Sequence, residues 1–251
     1  MKMVARSAAA LLTALVASGP ALAASGAGLN FIGYSPDARY FAFEQFGFED
    51  GSGAAYWEIF VVDLKTNEWV KGTPARVSLN NEEEDKLLSD AHAKAMAIAG
   101  PVIREKNITE PAELLAANPA TQVVPDRTRL AFEPEYTSGG VQSGGPSQGR
   151  HEISIESIPL PRTGPCQYEE LQTVGFKLTI RDISLGSTRI LHEDKSIPAS
   201  WVCPLGYDLS AVVAHAGYPD TNRMVAIVGV YQDGWEGSDH RFIAVPFTLS
   251  D

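Results

Sequence analysis

The chain has 251 residues, with 20 Lys and Arg against 31 Asp and Glu, for a formal net charge of −11. So acidic a surface repels nucleic acid and anionic membranes and leaves cationic or neutral partners. The length is ample for a hydrophobic core in one domain.

Residues 1–23 read as an export signal. Lys2 and Arg6 precede an apolar run over 8–16, then come Gly19-Pro20 and the small-residue pattern Ala21-Leu22-Ala23. A secretory translocon and signal peptidase read this order of charge, apolar stretch and small residues. The apolar run is too short for a membrane span, which needs about 20 residues. The expected mature protein is a single β-rich domain, 24–251, in the periplasm or outside the cell.

A hairpin follows the signal. Residues 39–44 alternate, and Phe46 and Phe48 continue on the other parity, which predicts a bulge near Glu44-Gln45. The turn Glu49-Asp50-Gly51-Ser52-Gly53 is rich in residues that tolerate positive φ. The return strand over 56–64 is apolar on both faces, which places it inside a packed sheet. Lys65-Thr66-Asn67 makes the next turn and Glu68-Trp69-Val70 opens a short strand. A shift of 183 residues pairs Pro36-Asp37 with Pro219-Asp220 and Asp50-Gly51 with Asp233-Gly234, so a second, similar hairpin is expected near the C-terminus.

The stretch Tyr34-Ser35-Pro36-Asp37-Ala38-Arg39-Tyr40-Phe41-Ala42-Phe43, followed by Ile59-Phe60-Val61-Val62-Asp63-Leu64, resembles one blade of a TolB-type β-propeller. In that family a Ser-Pro-Asp-Gly turn precedes a strand, and Ala38 stands here in place of the glycine. The resemblance implies propeller-like hairpins and carries fold rather than function.

Helical patterning then sets in. Asn80 or Asn81 is the expected cap, with Glu82, Glu83, Glu84 and Asp85 at the positive end of the helix. Leu88, Ala91, Ala95 and Ile98 recur at helical spacing until Gly100-Pro101 stops or kinks the run. A shorter helix is expected from Thr109-Glu110-Pro111 through Ala117, which gives a helical insert over about 80–118. Residues 137–149, rich in Gly, Ser and Gln, read as a loop. Strands are expected over 129–132, 152–158, 176–181, 188–192, 209–214, 224–231 and 241–247.

Cys166 and Cys203 lie beside prolines, and in an exported chain an even pair reads as a disulfide. Closing that loop stabilises the fold by about 4 kcal/mol in the chain-entropy model. The segment from Ser196 through Trp201 and Cys203 to Tyr207, with the helical insert and the Gly-Pro-Cys loop, resembles a family of predicted secreted bacterial proteins without an assigned function. That resemblance implies location and domain, and no catalytic residue.

Chemistry-bearing motifs are sparse. The sequence carries no nucleophile elbow, zinc-protease helix, phosphate loop or dinucleotide fingerprint, so no cofactor or metal is expected. The candidate binding residues are Asp233, Trp235, Glu236 and Asp239 of one turn, with Asp50 of the other. Trp235 either folds back over the sheet edge or offers its indole to a partner.

The expected fold is mainly antiparallel β, closing as an irregular propeller or packing as a sandwich. The expected function is a non-catalytic periplasmic binding or interaction protein, whose partner is an envelope protein or a small ligand. The alternative is a periplasmic hydrolase built on His192, Glu193, Asp194 and His240.

Overall fold

The computed structural model describes residues 25–79, 87–119, 126–134, 149–164, 166, 170–198, 201, 203–216, 223–235 and 237–249. The export signal, the Asn80-Asn81 cap with its acidic run, nearly all of the 137–149 loop, Pro219-Asp220 and Glu236 lie outside them.

In chain order the elements are β1 (Gly28–Tyr34), β2 (Tyr40–Phe48), β3 (Ala55–Asp63), β4 (Glu68–Trp69), β5 (Ala75–Ser78), α1 (Leu88–Glu105), β6 (Ala112–Ala117), β7 (Arg129–Phe132), β8 (His151–Pro159), β9 (Val174–Asp182), β10 (Thr188–Glu193), β11 (Pro204–His215), β12 (Arg223–Asp233) and β13 (Ser238–Thr248). They form three antiparallel sheets. The first has the order β1-β2-β3-β4 with β5 also on β3, the second β10-β9-β8-β7, and the third β13-β12-β11-β6.

The third sheet is the centre of the stack, and its sequence explains why. On one face Leu209, Val212, Met224, Ala226, Val228 and Val230 pack with Ile153, Phe176 and Leu178 of the second sheet. On the other face Ala211, Val213, Val225 and Ile227 pack with Tyr34, Phe41, Phe43 and Phe60 of the first. The period-2 geometry of a strand sends alternate residues of Met224-Val225-Ala226-Ile227-Val228 to the two cores. An irregularity between Leu209 and Ala211 shifts the register of β11 on β12.

The outer face of the first sheet is closed by α1. Ala91, Ala95 and Ala99, spaced one turn apart, are fully buried. Ala95 and Ala99 rest on Ile59 and Ala75. These small side chains let the helix lie close to the sheet. The molecule is thus a sheet–sheet–sheet–helix stack. Among the described residues no strand pairing closes the sheets into a barrel or a propeller ring.

Several expectations change. The short helix over 109–117 is instead β6, which pairs with β11 from Ala112↔His215 to Ala117↔Ala211. The open edge of the central sheet outweighs the helix propensity of Ala and Leu. The first helix does not stop at Gly100-Pro101 but runs on to Glu105, because Val102 and Ile103 bury against the first sheet. Ile98 points outward and Ala99 inward. The register of β2 on β3 is unbroken through Glu44↔Ile59 and Gln45↔Glu58, and the bulge lies instead on β1, between Phe31 and Gly33. There Gly33, at φ 135, accommodates the carbonyl of Glu110, which would stand 2.2 Å from any Cβ.

The Ser35-Pro36-Asp37-Ala38 turn forms as read. Ser35 Oγ donates to Asp37 at 2.6 Å, and Ala38 takes φ 47, the left-handed conformation that glycine would supply. Cys166 and Cys203 are bonded, with Cα atoms 5.3 Å apart.

Strand β13 is an edge, and its outer side is occupied. His240 N–H donates to Ser25 O at 2.9 Å and its carbonyl accepts from Ala27 N–H at 3.1 Å. Phe242 N–H donates to Gln45 Oε1 at 2.7 Å. Pro246, on the same parity, has no N–H to offer, which suits an edge strand.

Candidate functional site

Two turns from different sheets meet. The β2–β3 turn is closed by Glu49 N–H to Ala54 O and Gly53 N–H to Glu49 O, with Gly51 at φ 76 and Gly53 at φ 65. The β12–β13 turn springs from the Asp233↔Ser238 pair. Gly51 lies against the indole of Trp235: a Cβ at 51 would be 3.2 Å from its Cγ. Trp235 nevertheless keeps 69% of its surface exposed. The indole therefore leans on the neighbouring turn and still presents most of its surface to solvent.

Below the turns, Arg241 of β13 gathers groups from three places. Its guanidinium donates to Glu49 Oε2 at 3.2 Å and to Ser25 O at 3.2 Å, and lies 4.5 Å from the centre of the Tyr56 ring. Asp239 Oδ2 is 3.6 Å away. Burial raises the Glu49 carboxyl, and Arg241 pulls it back only in part. Burial also raises Asp239, with the nearby Asp50 charge adding to the effect. The Tyr56 hydroxyl is pushed up to about 12 by burial. One cation among several partly desolvated carboxylates leaves the turns with a local excess of negative charge.

The preceding residue, His240, faces the opposite way. Its Nε2 is 3.6 Å from Asp208 Oδ1. Asp208 also accepts from Tyr231 at 2.8 Å, Ser210 at 3.1 Å and Arg127 at 3.3 Å. Burial alone would raise the Asp208 carboxyl, but His240, Tyr231 and Ser210 hold it down to about 2. It stays ionised in the interior because it is paired and hydrogen-bonded.

Further along the seam, residues of the first sheet, of β12 and β13, and of the segment before β11 line a recess of about 170 Å³. Phe60, Trp69, Arg76 and Glu58 come from the first sheet, Phe242 and Gln232 from the central one, and Trp201 from the segment before β11. Arg76 lies over the Trp69 ring at 5.2 Å and pairs with Glu58 at 2.8 Å.

The residues of the hydrolase alternative do not share one place. His192 Nε2 is 2.8 Å from Asp194 Oδ1, while Asp194 Oδ2 accepts the N–H of Phe176. The His192 ring stacks on Phe176 at 4.6 Å, so this pair clamps β10 to β9. His240 lies on the central sheet with Asp208. Glu193 pairs with Lys195 at 2.8 Å.

A family profile described as "Predicted secreted protein (DUF2259)" matches residues 42–248. The chain belongs to this family. Its description supports export from the cytoplasm and carries no activity. No curated protein and no solved structure matches the chain. No helix among the described residues is long and apolar enough to cross a membrane.

Of the residues singled out in sequence, Asp50, Trp235 and Asp239 come together at the paired turns. Asp233 sits at the base of its turn, where its N–H donates to the carbonyl of disulfide-bonded Cys203 at 3.2 Å. Sequence reasoning missed Arg241, Tyr56 and Ser25, and, although it singled out His240, it missed Asp208 as the carboxylate that His240 meets. The available signal was the run Asp239-His240-Arg241 inside an otherwise apolar strand, where polar residues need buried partners. Among the described residues no group of three His, Cys, Asp or Glu side chains is arranged to hold a metal.

Proposed function

We propose that this member of the secreted family is a non-catalytic binding or interaction protein of the periplasm or the extracellular space, and that the paired turns at 49–53 and 233–238 are its contact surface. The observation that carries the reading is the Trp235 indole, 69% exposed yet braced on Gly51. A rigid, exposed aromatic contributes contact area at low entropic cost. The carboxylates of Asp50, Asp233 and Asp239 around it favour a basic or neutral partner over an acidic one. The disulfide at Cys203 and the Arg241 cluster hold the base of the surface in place. In this reading the three antiparallel sheets are blade-like units packed face to face.

The test places a photo-crosslinking residue at Ser52 and irradiates intact cells. The expected result is a discrete cross-linked species that disappears when Trp235→Ala is added. Cross-linking that is absent, or that is indifferent to Trp235→Ala, would falsify the assignment of this surface.

A further inference from the structure

We propose that the recess beside β13 is a binding site for one neutral saccharide ring. The argument rests on what lines it. Trp69 stands on the first sheet and is 42% exposed, with the Arg76 guanidinium over its ring at 5.2 Å, and Trp201 packs against the core between the other two sheets, so two indoles, one with a guanidinium beside it, border one opening from different layers. A sugar ring has apolar C–H faces and a hydroxyl-bearing edge. Indoles suit the faces, and planar amide and guanidinium groups suit the edge.

Charge decides between ligand classes. Arg76 Nε is bound to Glu58 at 2.8 Å, and the other Glu58 oxygen accepts from Gln45 at 2.5 Å. Arg241, at the rim, is held by Glu49 at 3.2 Å. Each charge at the recess already has its counter-charge, so an anionic or cationic ligand would be desolvated without gaining an ion pair. The remaining Arg76 N–H groups and the Gln232 amide can still bond to neutral hydroxyls. The volume, about 170 Å³, lies below the roughly 300–1,000 Å³ of drug-sized sites and admits one ring rather than several.

This site shares Arg241 with the base of the paired turns but does not include Trp235, so loss of the Trp235 contact would leave it standing. The test is ligand-observed NMR on the mature protein with glucose, galactose, mannose and N-acetylglucosamine, alongside glucuronate and glucosamine as charged counterparts. At least one neutral sugar is expected to bind saturably and more tightly than either charged one. Trp69→Ala and Arg76→Gln should each weaken that binding roughly two- to tenfold, the loss of one stacking or edge contact. Leu114→Ala, on the far edge of the central sheet, should leave it unchanged. Should Trp69→Ala fail to fold by circular dichroism, Arg76→Gln alone decides. Saturation by no neutral sugar, tighter binding of a charged one, or unchanged affinity in the folded variants overturns the proposal.

Discussion

Gly229 stands where Asp208 and His240 converge: a Cβ at that position would come within 2.2 Å of both Asp208 Oδ1 and His240 Nε2. The close approach across β11, β12 and β13 exists because the middle strand offers no side chain there. Gly229→Ala should therefore force the buried network apart. The expected cost is about 1–3 kcal/mol, typical of overpacking. Urea unfolding should show a lower midpoint at unchanged slope.

The same carboxylate sets an acid dependence. Its folded value is near 2, below its ordinary 3.8. A depressed carboxylate contributes stability that is present above the unfolded value and lost as pH falls through the folded one. Asp208 should thus account for about 2 kcal/mol that disappears between roughly pH 4 and pH 2. Unfolding curves across that window should lose this component in Asp208→Asn. An unchanged slope in the variant would show that other carboxylates carry it.

Trp235 and Gly51 should separate contact from stability. Trp235→Ala removes a mostly exposed ring and should shift unfolding free energy by less than about 0.5 kcal/mol. Gly51→Ala places a Cβ at φ 76 and against the indole, which should cost about 1–2 kcal/mol. Thermal melts of the two variants, read beside the Ser52 cross-link, test both statements.

Removing the disulfide by Cys166→Ser and Cys203→Ser should lower stability by about 4 kcal/mol. The local effect should reach the candidate surface, because Cys203 O accepts the Asp233 N–H at the foot of the β12–β13 turn. Hydrogen exchange should then show faster exchange of the Asp233 amide than of amides inside β9.

The β2–β3 hairpin, the strands from β7 to β13 and the cross-link were legible because apolar alternation and turn residues are local signals. Strand β6 was not, since Ala-Glu-Leu-Leu-Ala-Ala reads as helix until the edge of β11 supplies its partner. Strands β1 and β5 also escaped notice: Ala75-Arg76-Val77-Ser78 is too short to show a period. At the site, Asp50, Trp235 and Asp239 stood out as turn residues. Arg241 and Ser25, 216 positions apart, meet where the chain start runs along the edge of β13, and Asp208 and Arg127, 81 apart, meet through the tertiary fold; no local pattern encodes either.

Ser25 and Ala27 are stitched by main-chain bonds to His240, so the opening of the described chain and its final strand complete each other. A polypeptide emerging amino end first cannot seal this edge until β13 has come through. Closure of this edge therefore waits for β13, and an intermediate stalled before it would leave Ser25 and Ala27 without their main-chain partners.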